Sequence, residues 1–137
     1  MIKGFTCGVF DMFHAGHVLM LQECSENCDY LVVAVNSASQ IDKFINPGKL
    51  PVLYSLEHRK MILENSKYVN EVVTYSSEKE LLDILNNGKF DIRFIGDDYK
   101  GKPITGEGLS KLYYTSRSHG WSTSSFKKKL LEIMKKW

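Results

Sequence analysis

Apolar and polar positions alternate along the chain in blocks that predict strands and helices in turn. The segment from Tyr30 to Val35 is continuously apolar and rich in β-branched residues, which is typical of a parallel strand covered on both faces. From His17 to Asn27 apolar side chains recur at helical spacing, with Val18, Leu21 and Cys24 on one face. The same pattern predicts further strands at Ile2–Phe10, Asn70–Tyr75, Phe90–Ile95 and Lys111–Thr115, and further helices at residues 55–66, Glu78–Asn86 and from Ser122 or Thr123 to Trp137.

The later helices have recognisable starts and apolar stripes. Ser55 can cap the helix after it, because a serine side chain accepts a hydrogen bond from a free N–H group of the first turn. The stretch from Asn36 to Leu53 has little periodicity and is interpreted as a loop. The stripes expected to face the core are Leu81, Leu82 and Leu85 in one helix, and Phe126, Leu130, Ile133 or Met134, and Trp137 in the last.

Strands separated by crossovers predict an α/β fold. We expect a single domain over residues 1–137, a Rossmann-like, doubly wound sheet of about five parallel strands. In such folds ligands collect beyond the carboxyl ends of the strands. Three polar clusters follow predicted strands, at Asp11–His17, Gly96–Asp98 and Arg117–Thr123. The sequence therefore predicts one site built from these three clusters.

Composition narrows the class of protein. Of the 137 residues, 43% are hydrophobic and 25% charged, which argues against a disordered chain. The formal net charge of +2 is too small to suggest a nucleic-acid-binding protein. No apolar run reaches the ~20 residues of a membrane span, and no signal-peptide pattern opens the chain, so we expect a cytoplasmic protein without membrane insertion. The C-terminal lysines are interpreted as the solvated face of one helix: Lys127, Lys128, Lys129, Lys135 and Lys136.

The three cysteines do not form a disulfide framework. Cys7, Cys24 and Cys28 are odd in number and lack framework spacing. Cys24 and Cys28 can in principle share a metal, but no further Cys or His pair stands at zinc-site spacing. We therefore interpret them as small buried apolar residues and assign no protein metal ligands.

The first polar cluster has the chemistry of a phosphate site. Gly16 allows close approach of a phosphate to the backbone, and His17 falls in the first turn of a helix, where free N–H groups favour an anion. His14 and His17 can reach the same phosphate and stabilise charge that builds on it. From the residues alone, one capping and one packed histidine, or a metal pair lacking a third ligand, are alternatives.

A predicted strand is followed by His14-Ala15-Gly16-His17. This arrangement resembles the His-x-Gly-His signature of the nucleotidyltransferase superfamily that includes cytidylyltransferases. Several further stretches, in order and at compatible spacing, resemble its glycerol-3-phosphate cytidylyltransferase branch. They are Tyr30–Val35, Glu57–Glu64, Tyr68–Val72 and Gly96-Asp97-Asp98-Tyr99.

The third cluster offers a guanidinium from Arg117, a flexible Gly120 and a hydroxyl-rich helix start at Ser122 and Thr123. These groups can cradle phosphates, although an ordinary helix cap after a glycine turn is the alternative. The cluster resembles the family's second signature, Arg-Thr-Glu-Gly-Ile-Ser-Thr-Thr. His119 stands in place of its glutamate and Trp121 in place of its isoleucine.

The resemblance implies direct in-line transfer of CMP from CTP to a phosphorylated alcohol, with Mg²⁺ accompanying the triphosphate. It assigns charge stabilisation to His14, His17, Arg117 and a loop lysine, either Lys43 or Lys49. Acceptor contacts are expected at Asp11, His119 and Trp121. The alternative role of Asp11 is to position His14. Nucleotide contacts are expected at Gly8, Val9, Phe10, Gly16, Arg59, Gly96, Asp97, Asp98, Arg117, Gly120, Ser122 and Thr123.

Substrate and assembly remain open within the resemblance. Glycerol 3-phosphate is the expected acceptor, and phosphocholine, phosphoethanolamine or another polyol phosphate are alternatives. Ala15 matches adenylyltransferases that act on heptose phosphate, so ATP is the alternative nucleotide. A non-catalytic nucleotide-binding protein is a further alternative, disfavoured because both histidines and Arg117 are present. The family likeness also implies a homodimer with its contact near Glu57–Val72.

Overall fold

Five strands form one parallel sheet in the computed structural model, which describes residues 1–37 and 51–137. The strands are β1 (Lys3–Gly8), β2 (Tyr30–Asn36), β3 (Glu71–Tyr75), β4 (Ile92–Gly96) and β5 (Lys111–Thr115). Their order is β3-β2-β1-β4-β5, and each neighbouring pair is parallel. The chain winds outward from β1 in one direction and then returns to build the other half, so β1 and β4 flank the point where the winding reverses. The predicted α/β fold is confirmed.

Among the described residues, serine caps begin three of the four α-helices. The helices are α1 (Ala15–Glu26), α2 (Leu56–Glu64), α3 (Glu78–Gly88) and α4 (Thr123–Lys135), with a short 3₁₀ turn at Asp97–Tyr99. The side chains of Ser55, Ser77 and Ser122 each accept a hydrogen bond from the backbone N–H three residues later. The predicted cap at Ser55 is therefore confirmed, and the last helix begins at Thr123 after its cap Ser122, within the predicted start. In the described ranges none of the helices combines the length and apolar character that crossing a membrane requires.

Helices cover both faces of the sheet. On one face Leu21 and Cys24 of α1 and Leu63 of α2 pack with the buried side chains of β2. On the other, Leu81 and Leu85 of α3 pack with a second buried group that includes Phe5 and Tyr75. Burial on both faces explains why β2 reads as a continuous apolar run.

Three parts of the expected core are exposed instead. Val18 of α1 is 39% exposed and Leu82 of α3 is 38% exposed, because the contact with the sheet is narrower than the apolar stripe. Of the apolar stripe predicted for α4, only Phe126 is half-buried, against the ring of His14. The rest of its predicted stripe lies in solvent, with Leu130, Ile133, Met134 and Trp137 exposed. The prediction that this helix covers the core is wrong beyond its first turn.

The two leucines of α3 provide a matched test of this packing. Leu85 is 3% exposed and Leu82 is 38% exposed. Leu85→Ala should lower the free energy of unfolding by roughly 2–5 kcal/mol, because it leaves a cavity in the core. Leu82→Ala should cost clearly less, roughly 1 kcal/mol or below. Urea denaturation of both variants measures the difference, and equal losses would show that the helix face is assigned incorrectly.

Candidate active site

A cleft of about 860 Å³ opens at the carboxyl ends of the strands, beside the point where the winding reverses. Its volume lies within the range of small-molecule sites, roughly 300–1,000 Å³. The three predicted polar clusters meet there. The predicted residues that line it are Gly8, Val9, Phe10, Asp11, His14, Gly16, His17, Gly96, Asp98, Arg117, His119, Trp121, Ser122 and Thr123.

Of the other predicted residues, three are described and do not line the cleft. Lys43 and Lys49 lie outside the described residues. Asp97 and Gly120 are exposed beside the cleft and do not line it. Arg59 lies beneath it, 1% exposed.

The loop between β1 and α1 takes an uncommon backbone path. Phe10 has φ 55° and Met12 has φ 49°, in the left-handed region that glycine normally occupies. The Phe10 side chain is 5% exposed within the core, and that burial holds the strained backbone in place. The Phe10 ring also packs closely against Gly8, since a Cβ added at Gly8 would lie only 3.3 Å from the ring. The loop backbone is thereby held along the cleft wall.

The two histidines of the signature are fixed by backbone hydrogen bonds. The Gly16 N–H donates to His14 Nδ1 at 3.0 Å, and the His14 N–H donates to His17 Nδ1 at 3.1 Å. Each neutral ring therefore carries its proton on Nε2. The rings lie 4.1 Å apart between centroids, and both line the cleft. Together they offer two Nε2–H donors to a ligand.

Gly16 is required by close packing. A Cβ added there would lie 2.7 Å from His14 Cε1 and 3.0 Å from His119 Cε1. Real Cβ atoms essentially never approach a neighbour to 2.7 Å. The glycine thus permits the His14 ring to fold back over the start of α1 and brings His119 beside it.

The segment before α4 supplies a third histidine and an arginine. The Trp121 N–H donates to His119 Nδ1 at 2.9 Å, and the His119 and Trp121 rings stack. Arg117 forms an ion pair with Asp98 at 3.1 Å, and both side chains are nearly half exposed. The guanidinium is thus held at the cleft by a pair that solvent screens.

The start of α4 is attached to the first loop through Asp11. The Thr123 hydroxyl donates to the Asp11 carbonyl at 2.8 Å. The Asp11 carboxylate accepts the Leu53 and Tyr54 N–H groups and pairs with Lys127 Nζ at 2.6 Å. This side chain is therefore heavily engaged within the protein, and its predicted acceptor contact stays a prediction.

Lys127 corrects the expectation that all C-terminal lysines are solvated. Its side chain is only 12% exposed, and it also donates to the Pro51 carbonyl at 2.7 Å. It lines the cleft, whereas the other four lysines of that group are exposed. Its partner lies 116 residues away, so helical periodicity gives no signal for it.

Arg59 donates hydrogen bonds to three carbonyl groups of the described residues. Its Nε donates to Tyr54 O, and its Nη1 donates to Val9 O and Asn36 O at 3.0 and 2.6 Å. Val9 belongs to the loop after β1, and Asn36 ends β2. Arg59 thus ties together the backbone at two strand ends and the entry to α2, and its predicted nucleotide contact stays a prediction.

Both signature histidines are poor bases in this setting. Burial, assisted by the charges of His14 and Arg117, lowers the pKa of His17 to about 4. Burial, with the charges of His119 and Arg117, also lowers the pKa of His14. For Asp11 burial acts to raise the pKa, but the hydrogen bonds from Lys127, Leu53 and Tyr54 outweigh it and hold the pKa below its usual value. Near neutral pH the site therefore presents neutral imidazole donors.

The cleft also includes a group that sequence reasoning missed. Under α3 it is lined by Cys7, Tyr75, Glu78, Arg93 and Thr105, which we call the inner lobe. Arg93 is 5% exposed within β4. A buried arginine inside an otherwise apolar strand is the one signal that could have identified this lobe.

Residues 5–118 match the cytidylyltransferase-like family, so the chain belongs to that family. Its curated relatives include the glycerol-3-phosphate cytidylyltransferase of Bacillus subtilis, 34% identical, covering 95% of this chain and 98% of the relative. The enzyme of the same name from Staphylococcus aureus is 29% identical over 95% of this chain. The bifunctional protein HldE of Wolinella succinogenes is 33% identical over 92% of this chain, which spans only 26% of that protein.

Two solved structures share the fold of this chain. A lipopolysaccharide core biosynthesis protein from Thermoplasma volcanium superposes with a TM-score of 0.64 at 27% identity, over 85% of this chain and 97% of that one. The pantothenate synthetase of Thermus thermophilus superposes with a TM-score of 0.53 at 12% identity, over 93% of this chain and 64% of that one, which shows a shared fold alone.

The pKa of His17 gives a prediction about pH and stability. Its pKa is about 4 in the folded protein and about 6.5 when unfolded, so the unfolded chain binds more protons between these values. The free energy of unfolding should therefore fall as the pH is lowered from about 6.5 to 4. Protonation of His17 should account for on the order of 3 kcal/mol of this fall. NMR titration should find His17 half-protonated near pH 4, and titration near 6.5 would contradict the assignment.

Proposed function

We propose that this protein is a cytidylyltransferase that transfers CMP from CTP to glycerol 3-phosphate, releasing CDP-glycerol and pyrophosphate. The single observation that carries the proposal is the meeting of His14, Gly16, His17 and Arg117 around one cleft. Full-length similarity to glycerol-3-phosphate cytidylyltransferases supports the choice of nucleotide and acceptor.

In the proposed reaction an ionised phosphate oxygen of the acceptor attacks the α-phosphorus of CTP. The new P–O bond forms as the bond to the oxygen bridging the α- and β-phosphorus breaks, and pyrophosphate leaves with that electron pair. No proton has to be removed from the attacking oxygen, so the lowered pKa values of His14 and His17 do not impede the reaction. Catalysis then rests on positioning and charge stabilisation.

The side chains of the cleft are suited to contact different phosphates of the nucleotide. The Nε2–H groups of His14 and His17 are suited to donate to phosphate oxygens as negative charge grows on them. Arg117 and the N-terminus of α4 beside Ser122 favour the β- and γ-phosphates. Lys43 or Lys49 is proposed to add a further positive charge.

We also propose that Mg²⁺ enters with the triphosphate. Among residues 1–37 and 51–137, no three His, Cys, Asp or Glu side chains gather into a metal-binding group. Phosphate oxygens and water are common Mg²⁺ ligands, so the ion fits as a part of the nucleotide complex. It would neutralise phosphate charge there.

A homodimer and a cytoplasmic location complete the proposal. We propose a subunit contact near residues 57–72, as the family likeness implies, and light scattering of the purified protein would measure the mass of the assembly. The thiols of Cys7, Cys24 and Cys28 are free, which suits a reducing compartment.

An adenylyltransferase is the second candidate. Ala15 between His14 and Gly16 motivates it, and the similarity to HldE proteins fits it. The full-length relatives are glycerol-3-phosphate cytidylyltransferases, so CTP is favoured.

Pyrophosphate release tests the proposal directly. CTP, ATP, UTP and GTP are each combined with Mg²⁺ and with glycerol 3-phosphate, phosphocholine, phosphoethanolamine or heptose phosphate. We expect release with CTP and glycerol 3-phosphate, falling by roughly 100-fold or more in His14→Ala and His17→Ala. Exposed Lys129, which does not line the cleft, gives the control, and Lys129→Ala should retain activity.

The remaining outcomes separate the alternatives. Release only with ATP would replace the proposal by adenylyl transfer. Nucleotide binding without release for any acceptor would contradict catalysis with these substrates. Activity that survives both histidine substitutions would contradict the assigned site.

Gly16 allows a geometric test of the same site. Gly16→Ala should lower kcat by roughly 10- to 100-fold, because the added methyl group displaces His14 from the position fixed by its backbone hydrogen bond. Ala15→Gly changes an exposed neighbour and serves as the control. Thermal unfolding of each variant checks the fold, and full activity of a folded Gly16→Ala protein would contradict the role of this close contact.

A further inference from the structure

The inner lobe is continuous with the nucleotide end of the cleft but has different chemistry. The histidines, Arg117 and the start of α4 lie beyond the strand ends, whereas Arg93 and Cys7 lie on the strands themselves. Arg93 pairs with Phe5 in the parallel register of β4 and β1, which places it on the α3 side of the sheet. A two-substrate reaction needs space beside the triphosphate, and the inner lobe provides it.

The charge of this lobe is dominated by Arg93. Within the described part of the chain the ion pairs are Arg117–Asp98 and Lys127–Asp11, so Arg93 has no described carboxylate within 4.0 Å. Its Nη1 donates to the Thr105 carbonyl, and its guanidinium also bonds the Cys7 side chain. A guanidinium that is 5% exposed and bonded to neutral groups keeps its positive charge largely unscreened.

Glu78 offsets this charge only in part. Its side chain is exposed at the first turn of α3, and its carboxylate accepts the Thr105 hydroxyl. Water screens an exposed charge more strongly than a buried one, so Arg93 sets the sign of the field within the lobe. Hydroxyl groups of Tyr75 and Thr105 add neutral hydrogen-bonding capacity.

We propose that the inner lobe binds the tail of the acceptor and that Arg93 selects a neutral, hydroxyl-bearing tail over a cationic one. This inference rests on the proposed function, which puts the acceptor phosphate against the α-phosphorus and leaves its tail to extend into the lobe. A polyol tail can accept hydrogen bonds from Arg93 and donate to Glu78. An ammonium tail would meet an unscreened like charge.

The expected discrimination is large enough to measure. An ammonium group roughly 6–8 Å from the Arg93 guanidinium is repelled by it. At an effective dielectric constant of about 20, this repulsion weakens binding by about 30- to 100-fold relative to a neutral tail. The negative charge of Glu78 offsets part of this repulsion, so the expected discrimination between the two tails is about 10-fold or more. The quantity to measure is the ratio of kcat/KM for glycerol 3-phosphate to that for phosphoethanolamine.

Two substitutions should move this ratio in opposite directions. Arg93→Gln should lower it by about 10-fold, and Glu78→Gln should raise it by a few-fold. Arg93→Lys keeps the charge and should keep a preference for glycerol 3-phosphate. The KM for CTP should stay within about twofold in all three variants, because the nucleotide lies at the other end of the cleft.

The outcomes distinguish this inference from the proposed function. A ratio that is the same in wild type, Arg93→Gln and Glu78→Gln would overturn the inference while leaving cytidylyl transfer intact. A rise in the KM for CTP with an unchanged ratio would place the nucleotide, and not the acceptor, in the lobe. If Arg93→Gln fails to fold, Glu78→Gln decides, since an unchanged ratio there also overturns the inference. If the wild-type protein releases no pyrophosphate, both the inference and the proposed function are contradicted.

Discussion

The buried carboxylate of Asp11 connects parts of the chain that the sheet alone does not bring together. It accepts hydrogen bonds from Leu53 and Tyr54 and pairs with Lys127, while its carbonyl accepts the Thr123 hydroxyl. Charge-assisted hydrogen bonds to a largely buried carboxylate are strong, and loss of one partner would leave the other charge buried and unpaired. The position of α4 against the first loop therefore depends on this residue, and so does the adjoining end of the cleft, which we propose binds phosphate.

Arg59 performs the complementary task with the opposite charge. By donating to the carbonyls of Val9, Asn36 and Tyr54 it holds the ends of β1 and β2 at a fixed separation from α2. These carbonyls lie where parallel strands end and sheet hydrogen bonding stops. Asp11 satisfies N–H groups and Arg59 satisfies carbonyls, so two buried charges replace the missing backbone partners of the loops that build the site.

The sequence predicted the features that depend on local chemistry. The cap at Ser55, strand β5 and the meeting of the three polar clusters follow from residue type, periodicity and parallel-strand geometry. It failed where the outcome depends on a distant partner. An apolar stripe in α4 shows that a helix is amphipathic, but not whether another element covers it, and Leu130 is 47% exposed. The pairing of Lys127 with Asp11 spans 116 residues and leaves no periodic signal.

The hydrogen bonds of the side chains in the cleft indicate how it can accept a polyanion at low cost. His14, His17 and His119 each accept a backbone N–H at Nδ1, which leaves Nε2 to face a ligand. Because burial lowers the pKa values of His14 and His17, these two rings offer Nε2–H donors without carrying a buried positive charge. The permanent charge of Arg117 is held by Asp98 in a pair nearly half exposed on both sides. Exposed pairs of this kind contribute only about 0–1 kcal/mol, so phosphate oxygens can replace Asp98 as the partner of the guanidinium with little loss. The geometry is thereby held by backbone hydrogen bonds, while the charge remains available to the ligand.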